Sequence, residues 1–166
     1  MREGLEVSWL PSYGPEMRSG SAHCHVCLSK DRIGSPVLSR PEVLIAMTEI
    51  SLRKFAPQIA PGGTILYGRE RLPEDFSIPQ AQVVCIPASE IADRLGSAKV
   101  ANVVMMGALL EETECLSPAT AMKVLEAKVK NPALLELDRE ALDAGRLYID
   151  HTVAIGAVTQ ADGFAQ

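Results

Sequence analysis

The sequence PSYGPEMRSG at residues 11–20 is the stretch around which this chain is organised, and SAHCHVCL follows it at residues 21–28. Two prolines and two glycines within ten residues exclude a helix and disfavour a regular strand, so a shaped loop is predicted there. The second segment alternates in polarity as a strand does. A loop that presents Tyr13, Glu16 and Arg18 suits recognition on a rigid scaffold. The alternative is a surface connection whose Glu16/Arg18 ion pair contributes little.

Residues 12–22, SYGPEMRSGSA, resemble the SYGPEMRGGTA-type motif of the gamma subunit, or gamma domain, of 2-oxoacid:ferredoxin oxidoreductases. Further segments resemble the same family, in order: IGSP at 33–36, PEVLIAM at 41–47, PGG at 61–63 and VANVVMMGAL at 100–109. The resemblance spans residues 5–148. It is specific to the family and does not say which 2-oxo acid is used.

The resemblance implies a reaction that needs other chains: CoA-dependent oxidative decarboxylation of a 2-oxo acid to an acyl-CoA, carbon dioxide and reduced ferredoxin. Thiamine diphosphate is its electron sink and iron-sulfur clusters carry its electrons. The sequence has no Gly-Asp-Gly thiamine diphosphate signature and no Cys-x2-Cys-x2-Cys run for a [4Fe-4S] cluster. We therefore expect this chain alone to bind no cofactor, and its partners to be alpha, beta and ferredoxin-like delta subunits and ferredoxin.

The candidate site lies at a subunit interface or beside the substrate or CoA channel. Tyr13 and Met17 are predicted to be apolar anchors, and Arg18 a fork-shaped donor to a carboxylate or phosphate. The alternative function is a non-catalytic α/β binding or assembly module that recognises a protein through the same loop. A fragment of a dinucleotide dehydrogenase is disfavoured because its glycine fingerprint is absent. The candidate residues are Ser12, Tyr13, Gly14, Pro15, Glu16, Met17, Arg18, Gly20, Thr48, Glu49 and Asn102.

The composition favours one domain outside the membrane. The 166 residues, 47% of them hydrophobic, suffice for one core and are few for two domains. A net charge of −5 without long basic runs argues against nucleic acid or an anionic membrane as the main partner. There is no signal-peptide pattern and no apolar run near the ~20 residues that cross a bilayer. A cytoplasmic location is expected, and four separated cysteines fit a reducing compartment.

Strands and helices alternate as in a layered α/β protein. The unbroken apolar run at 43–47 is predicted to be a central strand covered on both faces. We expect a three-layer, mostly parallel Rossmann-like sheet flanked by helices, as a single domain over residues 1–149 with a loosely ordered tail at 150–166. The strands are predicted at residues 4–10, 22–28, 43–47, 64–67 and 83–86.

Thr48 and Glu49 follow the strand at 43–47 as the N-cap and first turn of a helix. Ligands of open α/β sheets bind beyond the carboxyl ends of strands, which makes both residues site candidates. An ordinary capped helix is an equal interpretation. Two later helices are predicted to begin with the same device, Ser117-Pro118 and Asn131-Pro132.

The helix predicted at residues 99–114 is apolar around nearly its whole circumference and must be buried. Gly107 costs it about 1 kcal/mol relative to alanine, which predicts that a neighbouring backbone comes close. Asn102 is expected to need a partner, because a buried unpaired amide is unfavourable. It is predicted to contact a ligand or to cap a loop carbonyl.

His23, Cys24, His25 and Cys27 have a spacing found in zinc sites. Alternation along a strand would place Cys24 and Cys27 on opposite faces. His23, His25 and Cys27 would share a face, but the sequence offers no second ligand pair. We therefore expect no metal, and a half-buried strand with its polar residues outward.

Members of the family that the chain resembles usually begin with a strand, a Gly-Gly-Gln-Gly type loop and a helix. This sequence contains no such segment. A doubly wound sheet without that unit is expected to expose apolar strand and helix surface, which something else would need to cover.

Overall fold

The computed structural model describes residues 3–12 and 22–161, with side chains described as far as residue 150. The chain divides into two compact units, because its strands and its long helices each pack mainly with their own neighbours. The strand unit comprises Met1–Tyr67 and Arg71–Val84, and the helix unit comprises Gly68–Glu70 and Cys85–Gln166. The single domain expected over residues 1–149, with its tail at 150–166, stays a prediction.

The elements follow the predicted order closely. The strands are β1 (Glu6–Ser12), β2 (His23–Ser29), β3 (Val43–Ala46), β4 (Thr64–Tyr67) and β5 (Gln82–Cys85). The helices are α1 (Glu49–Phe55), α2 (Ala88–Arg94), α3 (Ala101–Thr113), α4 (Pro118–Lys128) and α5 (Pro132–Ala161), with short 3-10 turns at Ala56–Gln58 and Ala98–Val100.

β1 and β2 form a two-stranded antiparallel hairpin of their own, in which Glu6 lies opposite Ser29 and Ser12 opposite His23. The loop predicted from residue 11 therefore starts later than expected, because Pro11 still belongs to β1. Proline is tolerated there since both strands of a two-stranded sheet are edge strands, with one side free of ladder hydrogen bonds. This antiparallel hairpin forms a sheet separate from β3-β4-β5, in addition to the mostly parallel sheet that the sequence predicted.

The second sheet of the strand unit has the order β3-β4-β5, with β3 and β4 parallel. β4 is its middle strand, and Ile65 and Leu66 are completely buried there. The prediction that residues 43–47 form a central strand covered on both faces was wrong: β3 ends at Ala46, lies at an edge, and leaves Ile45 40% exposed. An apolar run favours burial, but only the pairing of strands decides which one is central.

The helix unit is built on α3 and α5, which cross at close range. The predicted burial of α3 is confirmed: a Cβ added to Gly107 would collide with the backbone carbonyl of Leu142 on α5. The two predicted caps are also confirmed, since Ser117 Oγ accepts a hydrogen bond from the Thr120 amide and Asn131 Oδ1 accepts one from the Ala133 amide. The buried residues of α3 are Ala101, Val103, Val104, Met105, Gly107, Ala108 and Leu110.

α5 continues through the boundary predicted at residue 150 and ends at Ala161. The first part of the predicted loose tail is therefore helical, and the prediction was wrong there. No proline interrupts residues 133–161, so the intrahelical hydrogen bonds can continue without a break. Within the described residues, no helix is both long and apolar enough to cross a membrane.

Candidate subunit interface

The predicted recognition loop is held by the β1–β2 hairpin. Ser12 is the last residue of β1 and lies opposite His23, the first residue of β2, so residues 13–22 connect the two strands at one end of the hairpin. The structure therefore places the stem of the loop. The candidate residues Tyr13, Gly14, Pro15, Glu16, Met17, Arg18 and Gly20 lie outside the described residues.

Thr48 and Glu49 lie just beyond the carboxyl end of β3, as predicted. Thr48 Oγ1 accepts a hydrogen bond from the Ser51 amide at 3.2 Å, which satisfies one of the free donors at the start of α1. Glu49 Oε1 accepts from Arg53 Nε at 2.8 Å. Both candidate residues thus have a local structural role, and both remain exposed at the surface of the strand unit.

Arg53 also contacts Asp75, a residue that the sequence analysis did not single out. Its Nη2 donates to Asp75 Oδ1 at 2.6 Å, and this hydrogen bond lowers the pKa of the Asp75 carboxyl. The same two carboxylates, Asp75 and Glu49, raise the pKa of Arg53. Asp75 is 22 residues away in the sequence, so no local pattern signals the contact. One guanidinium therefore bridges two carboxylates beside the start of α1.

Asn102 does not have the surroundings predicted for it. It is exposed on α3 in the helix unit, so the expectation of a buried amide in need of a partner was wrong. Ahead of Glu111–Thr113, the incompletely buried positions of this helix are Asn102, Met106 and Leu109, spaced as one face of a helix. Little in the sequence indicated this incompletely buried strip, because Met106 and Leu109 are apolar like the buried residues of α3.

The inward face of β2 carries the polar residues considered for a metal. His25 Nδ1 accepts a hydrogen bond from the Leu38 amide at 3.2 Å, and the His23 ring lies 4.7 Å from that of Phe55. Cys24 is exposed on the opposite face, as the alternation predicted. Among the described residues, no three histidine, cysteine or acidic side chains converge as metal ligands.

The polarity of the hairpin faces is the reverse of the prediction. Polar residues were expected to point outward, yet the burial of β2 alternates so that His23, His25 and Cys27 lie on the covered side, whereas Val26 and Leu28 are exposed. The alternation was visible in the sequence. Which face is covered could not be read from it, because that depends on the elements that pack against the hairpin.

The described donor set does not fit an iron-sulfur cluster. Cys24 and Cys27 point to opposite faces of β2, and Cys85 and Cys115 belong to the helix unit. Burial raises the pKa of the Cys85 thiol, which keeps it protonated and poorly nucleophilic near neutral pH. Burial, with contributions from Cys85 and Glu70, also raises the pKa of Tyr148. Cys24 and Cys27 therefore cannot bind one cluster from the same face of β2, and the Cys85 thiol is not activated as a nucleophile.

Three comparisons with known proteins bear on this arrangement. A family model described as "Pyruvate ferredoxin/flavodoxin oxidoreductase" matches residues 1–148. The ketoisovalerate oxidoreductase subunit VorA of Methanothermobacter thermautotrophicus is 43% identical over 108 residues, which are 65% of this chain and 22% of VorA. The chain thus spans about a fifth of the length of that relative.

Two solved structures are similar in fold and sequence. The gamma subunit of a keto/oxoacid ferredoxin oxidoreductase from Geobacter sulfurreducens has a TM-score of 0.74 and 26% identity, over 89% of this chain and 82% of that one. A 2-oxoglutarate:ferredoxin oxidoreductase from Magnetococcus marinus, with 2-oxoglutarate, coenzyme A and succinyl-CoA bound, has a TM-score of 0.80 and 26% identity, over 90% of this chain and 27% of that one.

The parallel sheet, the helices and these similarities define an α/β protein of the kind found in oxidoreductase gamma subunits, which confirms the predicted fold class. Ser12 and His23, the strand residues on either side of its candidate loop, pair at one end of the β1–β2 hairpin. The chain belongs to the pyruvate ferredoxin/flavodoxin oxidoreductase family.

Proposed function

We propose that the chain is the gamma subunit of a multisubunit 2-oxoacid:ferredoxin oxidoreductase that converts a 2-oxo acid and CoA to an acyl-CoA and carbon dioxide while reducing ferredoxin. The observation that carries the proposal is the family match over residues 1–148, which includes the SYGPEMRSGSA segment. The similarity to VorA and to the Magnetococcus enzyme supports the reaction class. The chain acts only in the complex.

The cofactors of this reaction belong to the complex and not to this chain alone. Thiamine diphosphate would stabilise the carbanion left by decarboxylation, and iron-sulfur clusters would accept its electrons. Partner subunits, namely alpha, beta and ferredoxin-like delta chains, would hold these groups and pass electrons to ferredoxin. We further propose that the complex is cytoplasmic. It is not expected to act on nucleic acid or at a membrane, given the net charge of −5.

The residues of this chain would position a partner or substrate rather than perform chemistry. Arg18 would donate two parallel hydrogen bonds to a carboxylate or phosphate, and Tyr13 and Met17 would anchor the loop against apolar surface. Ser12 fixes the stem of that loop at the end of β1. Thr48 and Glu49 are at the surface of the same strand unit, where Thr48 caps α1 and Glu49 pairs with Arg53.

The test is the 2-oxo acid and CoA dependent reduction of a viologen dye by the purified complex, assembled with and without this chain. Omission should abolish turnover, and Arg18→Lys should lower it by about tenfold or more because the planar fork is lost while the charge remains. Arg32→Lys, an exposed arginine elsewhere in the strand unit, is the matched control and should have no effect.

Two results would refute the proposal. Full turnover without the chain would leave only the alternative function, an assembly or binding module. Turnover by the isolated chain would show that it holds a complete active site of its own.

A further inference from the structure

One face of the β1–β2 hairpin is apolar and, except at the half-buried Pro11, exposed. The register places Val7 beside Leu28, Trp9 beside Val26 and Pro11 beside Cys24, and paired residues of an antiparallel sheet point to the same side. None of the six is charged. Trp9 is 60% exposed, Val26 49% and Val7 41%. We call these six residues the outer hairpin face: Val7, Trp9, Pro11, Cys24, Val26 and Leu28.

The opposite face of the hairpin carries mainly polar side chains, including Ser8, His23 and His25. A hairpin with water on one side normally presents its polar residues there and its apolar residues to the core. A two-stranded sheet is also only marginally stable in water by itself. The reversed polarity therefore indicates that the outer hairpin face is covered in the functional state.

Exposed apolar residues are concentrated in the strand unit. Besides the hairpin they include Val37, Ile45, Met47 and Ile50, the last of which is 73% exposed. The large exposed hydrophobics of the helix unit are Val124, Leu134 and Leu147, among the described residues. Contiguous exposed apolar surface marks sites of protein interaction, so the strand unit is where a partner is expected.

The lengths of the relatives indicate what covers this face. In VorA and in the Magnetococcus enzyme the matched part is only 22% and 27% of one long chain, whereas the Geobacter gamma subunit is matched over 82% of its length. The same domain thus occurs both joined to a larger polypeptide and separate from it. A gamma subunit that is a chain of its own, as in the proposed function, would hold the equivalent polypeptide through its surface.

We infer that the outer hairpin face is the docking surface for the polypeptide that corresponds to the remainder of the long relatives, here a separate subunit with an uncharged apolar patch. This inference rests on the proposed function and assigns a surface to it. A second copy of this chain is the alternative occupant, and the test below distinguishes it from that subunit.

Trp9 gives a direct readout, because it is the only tryptophan of the chain. The chain labelled with 5-fluorotryptophan should show one 19F resonance, which can be followed while the unlabelled subunit is added. The probe is the polypeptide of the same organism that is similar to the part of VorA outside the match. The 19F resonance should shift on binding and lose its sensitivity to a soluble paramagnetic quencher.

A pair of valine variants locates the surface. Val26→Glu puts a charge on the outer hairpin face and should weaken binding of the subunit by about tenfold or more, since an unpaired charge would be desolvated. Val124→Glu makes the same change at a valine that is 41% exposed on α4 and should leave the affinity within about twofold. Far-UV circular dichroism checks that both variants are folded.

Each outcome decides a separate point. A complex in which Trp9 stays exposed, or in which Val26→Glu binds like the unmodified chain, would overturn the docking surface and leave the proposed function standing. A 19F shift that depends on the concentration of this chain alone would assign the face to a second copy and overturn the named occupant. No complex with any subunit would overturn the proposed function itself.

Discussion

Gly107 on α3 lies directly against the backbone carbonyl of Leu142 on α5, with no room for a Cβ atom between them. The contact is reciprocated at Gly145 on α5, which faces the backbone carbonyl of Val104 on α3. The two helices therefore meet backbone to backbone over about one turn. Leu142 and Val104 are fully or almost fully buried at this crossing. The core of the helix unit thus depends on two small residues.

Gly107→Ala should destabilise the helix unit even though alanine is the better helix former. The gain in helix propensity is about 1 kcal/mol, whereas forcing the helices apart in a packed core costs more, so a net loss of about 2 kcal/mol is expected. Urea denaturation followed by circular dichroism measures it. Gly34→Ala is the control, since nothing lies within 4 Å of its added Cβ and no positive φ is recorded there. An equal or higher midpoint for Gly107→Ala would contradict the close approach.

Gly145→Ala should have a similar effect on the same transition, because its Cβ would collide with the carbonyl of Val104. The two substitutions are not expected to be additive. Once the first has separated the helices, the second finds part of its space already open, so the double variant should lose less than the sum of the singles. Full additivity would mean that the two contacts are independent.

Thr48→Ala should destabilise the strand unit by about 1 kcal/mol, because the Ser51 amide loses its acceptor at the start of α1. Thr48→Ser keeps the hydroxyl and should retain most of the stability. Thermal unfolding of the isolated chain measures this effect, and subunit binding is measured separately on both variants. If Thr48→Ser weakens binding while stability is kept, Thr48 contacts the partner in addition to capping the helix.

Asp75→Asn should make the stability of the chain less dependent on pH in the acid range. Arg53 lowers the pKa of Asp75 in the folded protein, so the pair stabilises the fold above the unfolded pKa of Asp75, and this contribution is lost as the pH falls through the lowered folded value. The difference between the unmodified chain and the variant should thus shrink on acidification. It should also shrink in high salt, because both side chains are exposed.

Equilibrium unfolding at a series of pH values provides the measurement, with Glu74→Gln as the control at the neighbouring position. A difference between the unmodified chain and Asp75→Asn that stays constant from neutral to acid pH would contradict the role of the ion pair.

Local signals in the sequence were reliable because their causes are local. The caps at Thr48, Ser117 and Asn131 each need a side chain and an amide two or three residues later, and all three form as predicted. The glycine in an otherwise apolar helix correctly predicted a close backbone at Gly107, because few other causes favour glycine there. The recognition loop stays a prediction from its residues, and the structure adds the hairpin whose strands lie on either side of it in the sequence.

The sequence by itself determined the α/β class, the order of the elements and the family, because hydrophobic periodicity, caps and characteristic segments are written within a few neighbouring residues. Only the tertiary structure decided that β3 is an edge strand, that Asn102 is exposed, that Arg53 reaches Asp75 and that the hairpin turns its apolar face outward. These features depend on which distant segments pair and on which face is left uncovered. Burial is a property of the packed chain and not of a residue and its neighbours in sequence.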